Sequence, residues 1–169
     1  MTWTAIHPWF VVLHVLGVFA FLAIHGVSMA VWWRVRHERD RAQLVPLLDL
    51  SARSVVPMSV AGLVLIVSGI LAGVSGGWWF NGQWWLWVSI ALLVAIVAIM
   101  TPLVAIPMGA MRRGLGMPTP ADRKAGIVPD PVDDATLDRL LADRRPLIGG
   151  SLAVAGIVAI TWLMETRPF

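Results

Sequence analysis

Four stretches of this chain run for about twenty residues or more without a charged side chain, the length a helix needs to cross the hydrocarbon of a bilayer. They are Pro8 to Trp33, Val55 to Gly76, Trp84 to Met111 and Pro146 to Met164. None alternates with the period of two that a half-buried strand requires, so each is expected to be a helix. A shorter, different pattern lies between the last two. There Asp130 and Pro131 read as N-cap and first helical position, Asp133 and Asp134 fall in the first turn, and Leu137, Leu140 and Leu141 share a face. This predicts an amphipathic helix over about 131–143, lying on the membrane surface and feeding the fourth span at Pro146. The Gly- and Pro-rich segment before it, Gly114 to Pro129, is expected to be a flexible connector.

Within the spans the small and breaking residues predict how the helices meet. Gly62, Gly69 and Gly73 mark one face of the second span, and Gly149, Gly150, Ala153 and Gly156 one face of the fourth. Small residues let helix backbones approach closely where lipid offers no hydrophobic drive, so these two spans are expected to be the closest-packed pair. Pro102 and Pro107 each remove a backbone hydrogen bond, which predicts a kink in the third span. The expected fold is therefore all-α, an integral membrane four-helix bundle forming a single domain over 1–169. The connections of about twenty, seven and thirty-five residues leave no room for a soluble domain of the usual size.

Composition agrees with lipid as the solvent. Of 169 residues, 58% are hydrophobic and 14% charged, whereas soluble domains carry about 25% charged residues. The first span has no basic residue before it and arginines after it, which reads as a retained helix rather than a cleaved leader. With no cysteine, disulfides, thiolate metal sites and iron–sulfur ligation are excluded.

Charge orients the chain. Twelve of the thirteen Lys and Arg residues fall in two loops: Arg34 to Arg53 after the first span, and Arg112 to Arg145 after the third. Basic residues near helix ends stay in the cytoplasm, so both termini are expected outside, in a multi-pass protein of the cytoplasmic (inner) membrane. The arginines are interleaved with acids, which argues against nucleic acid as a partner. Eight of the ten tryptophans, from Trp3 to Trp162, fall at the other end of the spans. An aromatic belt accounts for such placement. The run from Trp78 to Trp87 also reads as a docking surface for a further membrane subunit or a cofactor ring, with Trp78, Trp79, Trp84 and Trp85 as contacts and Gly76, Gly77, Asn81 and Gly82 among them.

No Asp, Glu, Lys or Arg lies inside a span; histidine does. His7, His14 and His25 fall within about 20° of one stripe of the first helix, with His14 and His25 about 16 Å apart along it. Two main readings stay open, beside a quinone-contact or proton-transfer role. In one, these rings are neutral and hydrogen-bond to hydroxyls or carbonyls of neighbouring helices, Ser89 and Thr161 being level with His14. In the other, His14 and His25 are metal ligands, for haem b in particular, with Met100 level with His25 as a second ligand, or with a second copy or neighbouring subunit supplying it. Copper handling by His and Met is a third possibility, although such ligands are scattered here. His7 reads as interfacial and His37 carries no expected chemistry.

The run His14-Val15-Leu16-Gly17, the basic loop, Pro57 opening the second span, Ser68-Gly69-Ile70-Leu71-Ala72-Gly73 and Trp84 to Trp87 opening the third resemble small four-helix membrane proteins related to copper-resistance D-type domains. The layout is also similar to the four-helix bacterial protoporphyrinogen oxidase family. That resemblance covers about the first 110 residues and implies a haem-binding role for His14. The intramembrane Lys and later-helix His of the oxidase family are absent from this chain. With no nucleophile–base pair, phosphate loop or paired carboxylates, no independent catalytic activity is expected. The function expected is a haem-binding or electron-transfer subunit using the helix-one histidines. The alternative is a non-catalytic accessory subunit of a respiratory or photosynthetic complex, the chain acting as a homo-oligomer or within that larger assembly.

Overall fold

The computed structural model describes residues 3–80 and 83–167, and every regular element among them is helical. In order these are α1 (Trp3–His37), α2 (Arg41–Arg53), α3 (Val55–Ser75), α4 (Trp84–Met100), α5 (Ile106–Gly114), α6 (Pro120–Ala125), α7 (Asp134–Leu141) and α8 (Arg145–Thr166). A single 3₁₀ turn, Trp78–Phe80, precedes α4, and a π-helical turn, Thr101–Ala105, joins α4 to α5. Four of these runs, α1, α3, α4 with α5, and α8, are long and apolar enough to cross a membrane. Their outward faces suit lipid: Phe19, Leu63, Val97 and Val158 are each more than 60% exposed. The chain is a multi-pass membrane protein with an all-helical fold.

The packing of the spans differs from the expectation drawn from glycine spacing. The closest pair is α1 with α3, followed by α4 with α8, while α3 and α8 are not packed on each other. The glycines still mark close approaches, but to other partners. A Cβ on Gly17 of α1 would come within 3.2 Å of the Leu65 backbone of α3, the point where those two helices nearly touch. On α8, Gly149 receives Leu103 and Val104 from the π turn, Gly150 receives Met29 of α1, and Gly156 receives Ile96 of α4. The α8 glycine face therefore joins the two pairs at one level and packs within its own pair at another. Pro102 and Pro107 produce the expected irregularity as a widened turn, since each lacks the N–H that would close an ordinary helical one.

The loop rich in arginine after α1 contains a helix that charge alone conceals. Asp40 caps α2 by accepting the Ala42 N–H, and Leu44 and Leu48 beneath it are almost fully buried. Together with Val31, Trp32 and Val35 of α1, Met111 of α5, and Leu137 and Leu141 of α7 they form the main hydrophobic cluster of the protein. This cluster caps the basic end of the spans. The leucine face of α7 is thus packed against protein rather than laid on lipid, and α7 starts at Asp134 with Asp133 as its N-cap, three residues later than Asp130. Val132 donates its N–H to the Gly114 carbonyl, which ties the segment before α7 to the end of α5.

The connector after α5 is ordered. Thr119 and Asp122 form a reciprocal capping box at the start of α6, and Gly126 closes that helix in the left-handed conformation. Arg113 grips Asp122 through both carboxylate oxygens, at 2.8 to 3.2 Å. Arg112 is 8% exposed and donates to the Leu48 carbonyl at 2.9 Å, locking α2 onto α5. Arg39 with Asp138, and Arg41 with Asp134, tie the first basic loop to α7.

Candidate functional site

The polar side chains of α1 follow its seam with α3. His7 pairs through Nδ1 with the Ser75 hydroxyl at 2.9 Å. His14 donates from Nδ1 to the Leu65 main-chain carbonyl at 2.8 Å. That carbonyl is reachable because residue 69, one turn further along α3, is glycine: a Cβ there would sit 2.9 Å from the His14 ring. A carbonyl can only accept, so in the neutral ring Nδ1 carries the proton and Nε2 keeps its lone pair. Ser28 and Ser54 close the basic end of the seam at 3.0 Å.

His25 is 6% exposed, and its ring lies parallel to Phe21 with centroids 6.2 Å apart. Its Nε2 is buried without a hydrogen-bond partner, as is the Trp32 indole nitrogen two turns along the same helix. An orphaned buried nitrogen costs about 1–3 kcal/mol, so each calls for a ligand, water or shift of conformation to satisfy it. His14 and His25 stand about 16 Å apart on α1, too far to share one ion. Among the described residues no three His, Asp or Glu side chains cluster in a metal-binding arrangement. Met100 is half-buried at the last position of α4, the helix that pairs with α8 rather than with α1. The hydroxyls level with His14 are turned to their own helices: Ser89 bonds the Trp85 carbonyl and Thr161 that of Ile157.

The tryptophan end is a second constellation. Trp78 meets His7 edge-on at 5.2 Å and Trp85 at 5.6 Å, while Arg167 beyond α8 places its guanidinium 4.9 Å from the Trp78 ring and 5.7 Å from that of Trp85. Trp85 also donates to Gln83 Oε1 at 2.6 Å. Through these contacts one cluster ties α1, α4 and α8 together, and Ser75 on His7 adds α3. Trp79 lies over Gly73 and edge-on to Trp87. Of the four tryptophans expected to meet a partner, Trp85 is 2% exposed and half-buried Trp78 and Trp79 pack on their own chain, whereas Trp84 is 67% exposed. Trp87, not counted among those four, is 50% exposed. Asn81 and Gly82 lie outside the described residues. The buried Arg112 and Asp122 were not singled out as a site in the sequence, although Thr119-Pro120-Ala121-Asp122 carries the spacing of a capping box.

Two grooves stand out. One, of about 570 Å³, is apolar, lies between α1 and α3, and is lined by Leu16, Gly17, Ala20, Pro57, Val60 and Val64 among others. The other, of about 540 Å³, lies among Arg39, Arg41, Asp134 and Asp138 at the basic end. No family model matches this chain, and no curated protein or solved structure matches it either.

Proposed function

We propose that this protein is a haem-binding, electron-transfer-associated subunit of the cytoplasmic membrane, with both basic loops inside, both termini outside, and α1 supplying the iron ligands. The observation that carries this reading is the Nδ1–H bond from His14 to the Leu65 carbonyl. Metal-bound imidazoles almost always donate their second ring nitrogen to a carbonyl or carboxylate, which fixes the tautomer and orients the ring. His25 adds a buried Nε2 with no partner. The residues present fit haem b in donor type: His25 would hold the iron with Met100, a second copy or a neighbouring subunit as the other ligand, and His14 would hold it with a ligand from a second copy or a neighbouring subunit. Iron so held supplies one-electron chemistry, and the chain contributes binding, orientation and exclusion of water. The resemblance carried by His14 to Gly17 agrees with this role. The sidedness rests on the basic residues at one end of the spans.

The test is the absorption spectrum of protein purified from haem-replete cells. A Soret band is expected, weakened in His14→Ala or His25→Ala and abolished in the double variant. A colourless protein, or a Soret band unchanged in the double variant, overturns the proposal.

Exposure of Trp84 and Trp87 favours a second reading, an accessory subunit that docks through this surface on a larger membrane complex. Native mass spectrometry after mild extraction is then expected to retain a partner, and to lose it in Trp84→Ala. A monomer at every detergent strength counts against this reading.

A further inference from the structure

We propose that the turn from Arg123 to Val128 is a membrane anchor that recognises an anionic lipid surface. It stands apart from the histidines and does not depend on the haem reading. Four observations converge on it. First, Ile127 and Val128 are large apolar side chains held in a loop rather than in a span, and they are 54% and 79% exposed. Second, they follow Arg123 and Lys124, which are exposed and make no ion pair among the described residues.

Third, the turn is built rather than slack. Ile127 donates its N–H to the Asp122 carbonyl at 2.9 Å, Gly126 adopts φ +67°, and Asp122 is clamped by Arg113 and Thr119. Fourth, it belongs to an excursion that leaves the basic end of the spans and folds back beside α5. After α5 ends at Gly114 the chain doubles back, so that Thr119 lies against Gly109 and Met117 donates to the Arg112 carbonyl, before Pro131 returns to Gly116. Gly109 precedes Arg112 by three residues, about 5 Å nearer the hydrocarbon along the helix axis. The excursion therefore starts level with the membrane-proximal part of α5. An exposed apolar pair beside exposed cations at the basic end of the spans matches a surface of acyl chains beneath anionic headgroups.

The chain has no cysteine, so Val128→Cys can carry a single polarity-sensitive fluorophore on the full-length protein. The labelled protein is placed in nanodiscs of phosphatidylcholine, with or without phosphatidylglycerol, where both faces meet water. Blue-shifted emission and several-fold lower acrylamide quenching are expected in the anionic discs. A triple variant that also carries Arg123→Gln and Lys124→Gln is expected to return to the phosphatidylcholine values. All variants keep the Arg113–Asp122 clamp, and far-ultraviolet circular dichroism reports whether the helices persist. Equal quenching in the two lipids, or protection that survives the triple variant with helicity intact, overturns the proposal. So does protection that arises only when other membrane proteins are added.

Discussion

At the scale of single residues, glycine decides which polar contacts the membrane interior can hold. His14 reaches the Leu65 carbonyl only across Gly69, and the ring itself occupies the space a side chain would need. Gly69→Ala is expected to displace the ring, break the Nδ1–H bond and cost about 1 kcal/mol, read as a lower melting temperature in detergent. If His14 holds haem, its Soret maximum moves as well. The sequence made it legible that a neutral imidazole here would seek a carbonyl or hydroxyl on another helix. It did not reveal which, because depth alone favoured Ser89 and Thr161, whereas a serine or threonine inside a helix can satisfy itself on the carbonyl four residues back, as both do. A paired comparison on α8 follows the same logic. Alanine at 149 would meet Leu103 Cβ, fixed to the backbone, and Val104 Cγ2, on a stiff β-branched side chain, each at 2.8 Å, while alanine at 150 would meet the flexible thioether of Met29. Thermal melts are expected to show Gly149→Ala losing about 1–3 kcal/mol and Gly150→Ala clearly less.

At the scale of elements, the spans were legible and the basic end was not. Long uncharged runs leave a helix as the only structure that satisfies its own backbone in lipid, so α1, α3, α4 with α5, and α8 could be placed to within a few residues. Between spans, charge obscured α2 even though Leu44, Leu47 and Leu48 have helical spacing, and Gly and Pro content obscured α6 behind the capping residues Thr119 and Asp122. The clamp on α6 gives a pH prediction. The Asp122 carboxyl is held well below the usual carboxylate range, first by the Arg113 guanidinium and then by the side chain and N–H of Thr119. A depressed folded-state pKa gives stability that is complete above the unfolded value, about pH 4, and is lost as the pH falls below it. A nitroxide at Ala121→Cys is therefore expected to be immobile at pH 7 and 5 and to gain mobility as the pH drops from about 4 towards 2. Asp133, the cap of α7, is lowered in the same direction by Thr136. Asp122→Asn separates the two: the label at residue 121 becomes mobile at pH 7 and nearly loses its acid response. A label that loosens at the same pH with and without Asp122 assigns the transition elsewhere.

For the whole molecule, the two ends do different work. The apolar middle contributes little shared core, because most large side chains on the spans face outward. Cohesion is concentrated in the leucine cluster at the basic end and the aromatic cluster at the other. At the tryptophan end a count of indoles reads only as a belt, since sequence gives the depth of each ring but not which face of its helix it occupies or what covers it. Trp85 and its immediate neighbour Trp84 point in different directions, and their substitution separates internal packing from external contact. Trp85 is buried, bonded to Gln83, packed on Trp78 and covered by Arg167, so Trp85→Ala removes the ring that links α4 to the Trp78 turn and to the residue after α8. A loss of about 3 kcal/mol or more is expected, with a melting temperature lower by several degrees in any detergent. Trp84→Ala removes a ring that touches little of its own chain, so the isolated protein should melt within about 0.5 kcal/mol of wild type. Its effect should emerge only in the membrane, as weaker partner retention if the surface docks on a complex, or as altered tryptophan quenching by brominated lipid if it serves as a belt. Equal destabilisation by the two substitutions in detergent would mean that Trp84 is covered within the protein, and the outward-facing surface would then lose its most exposed member.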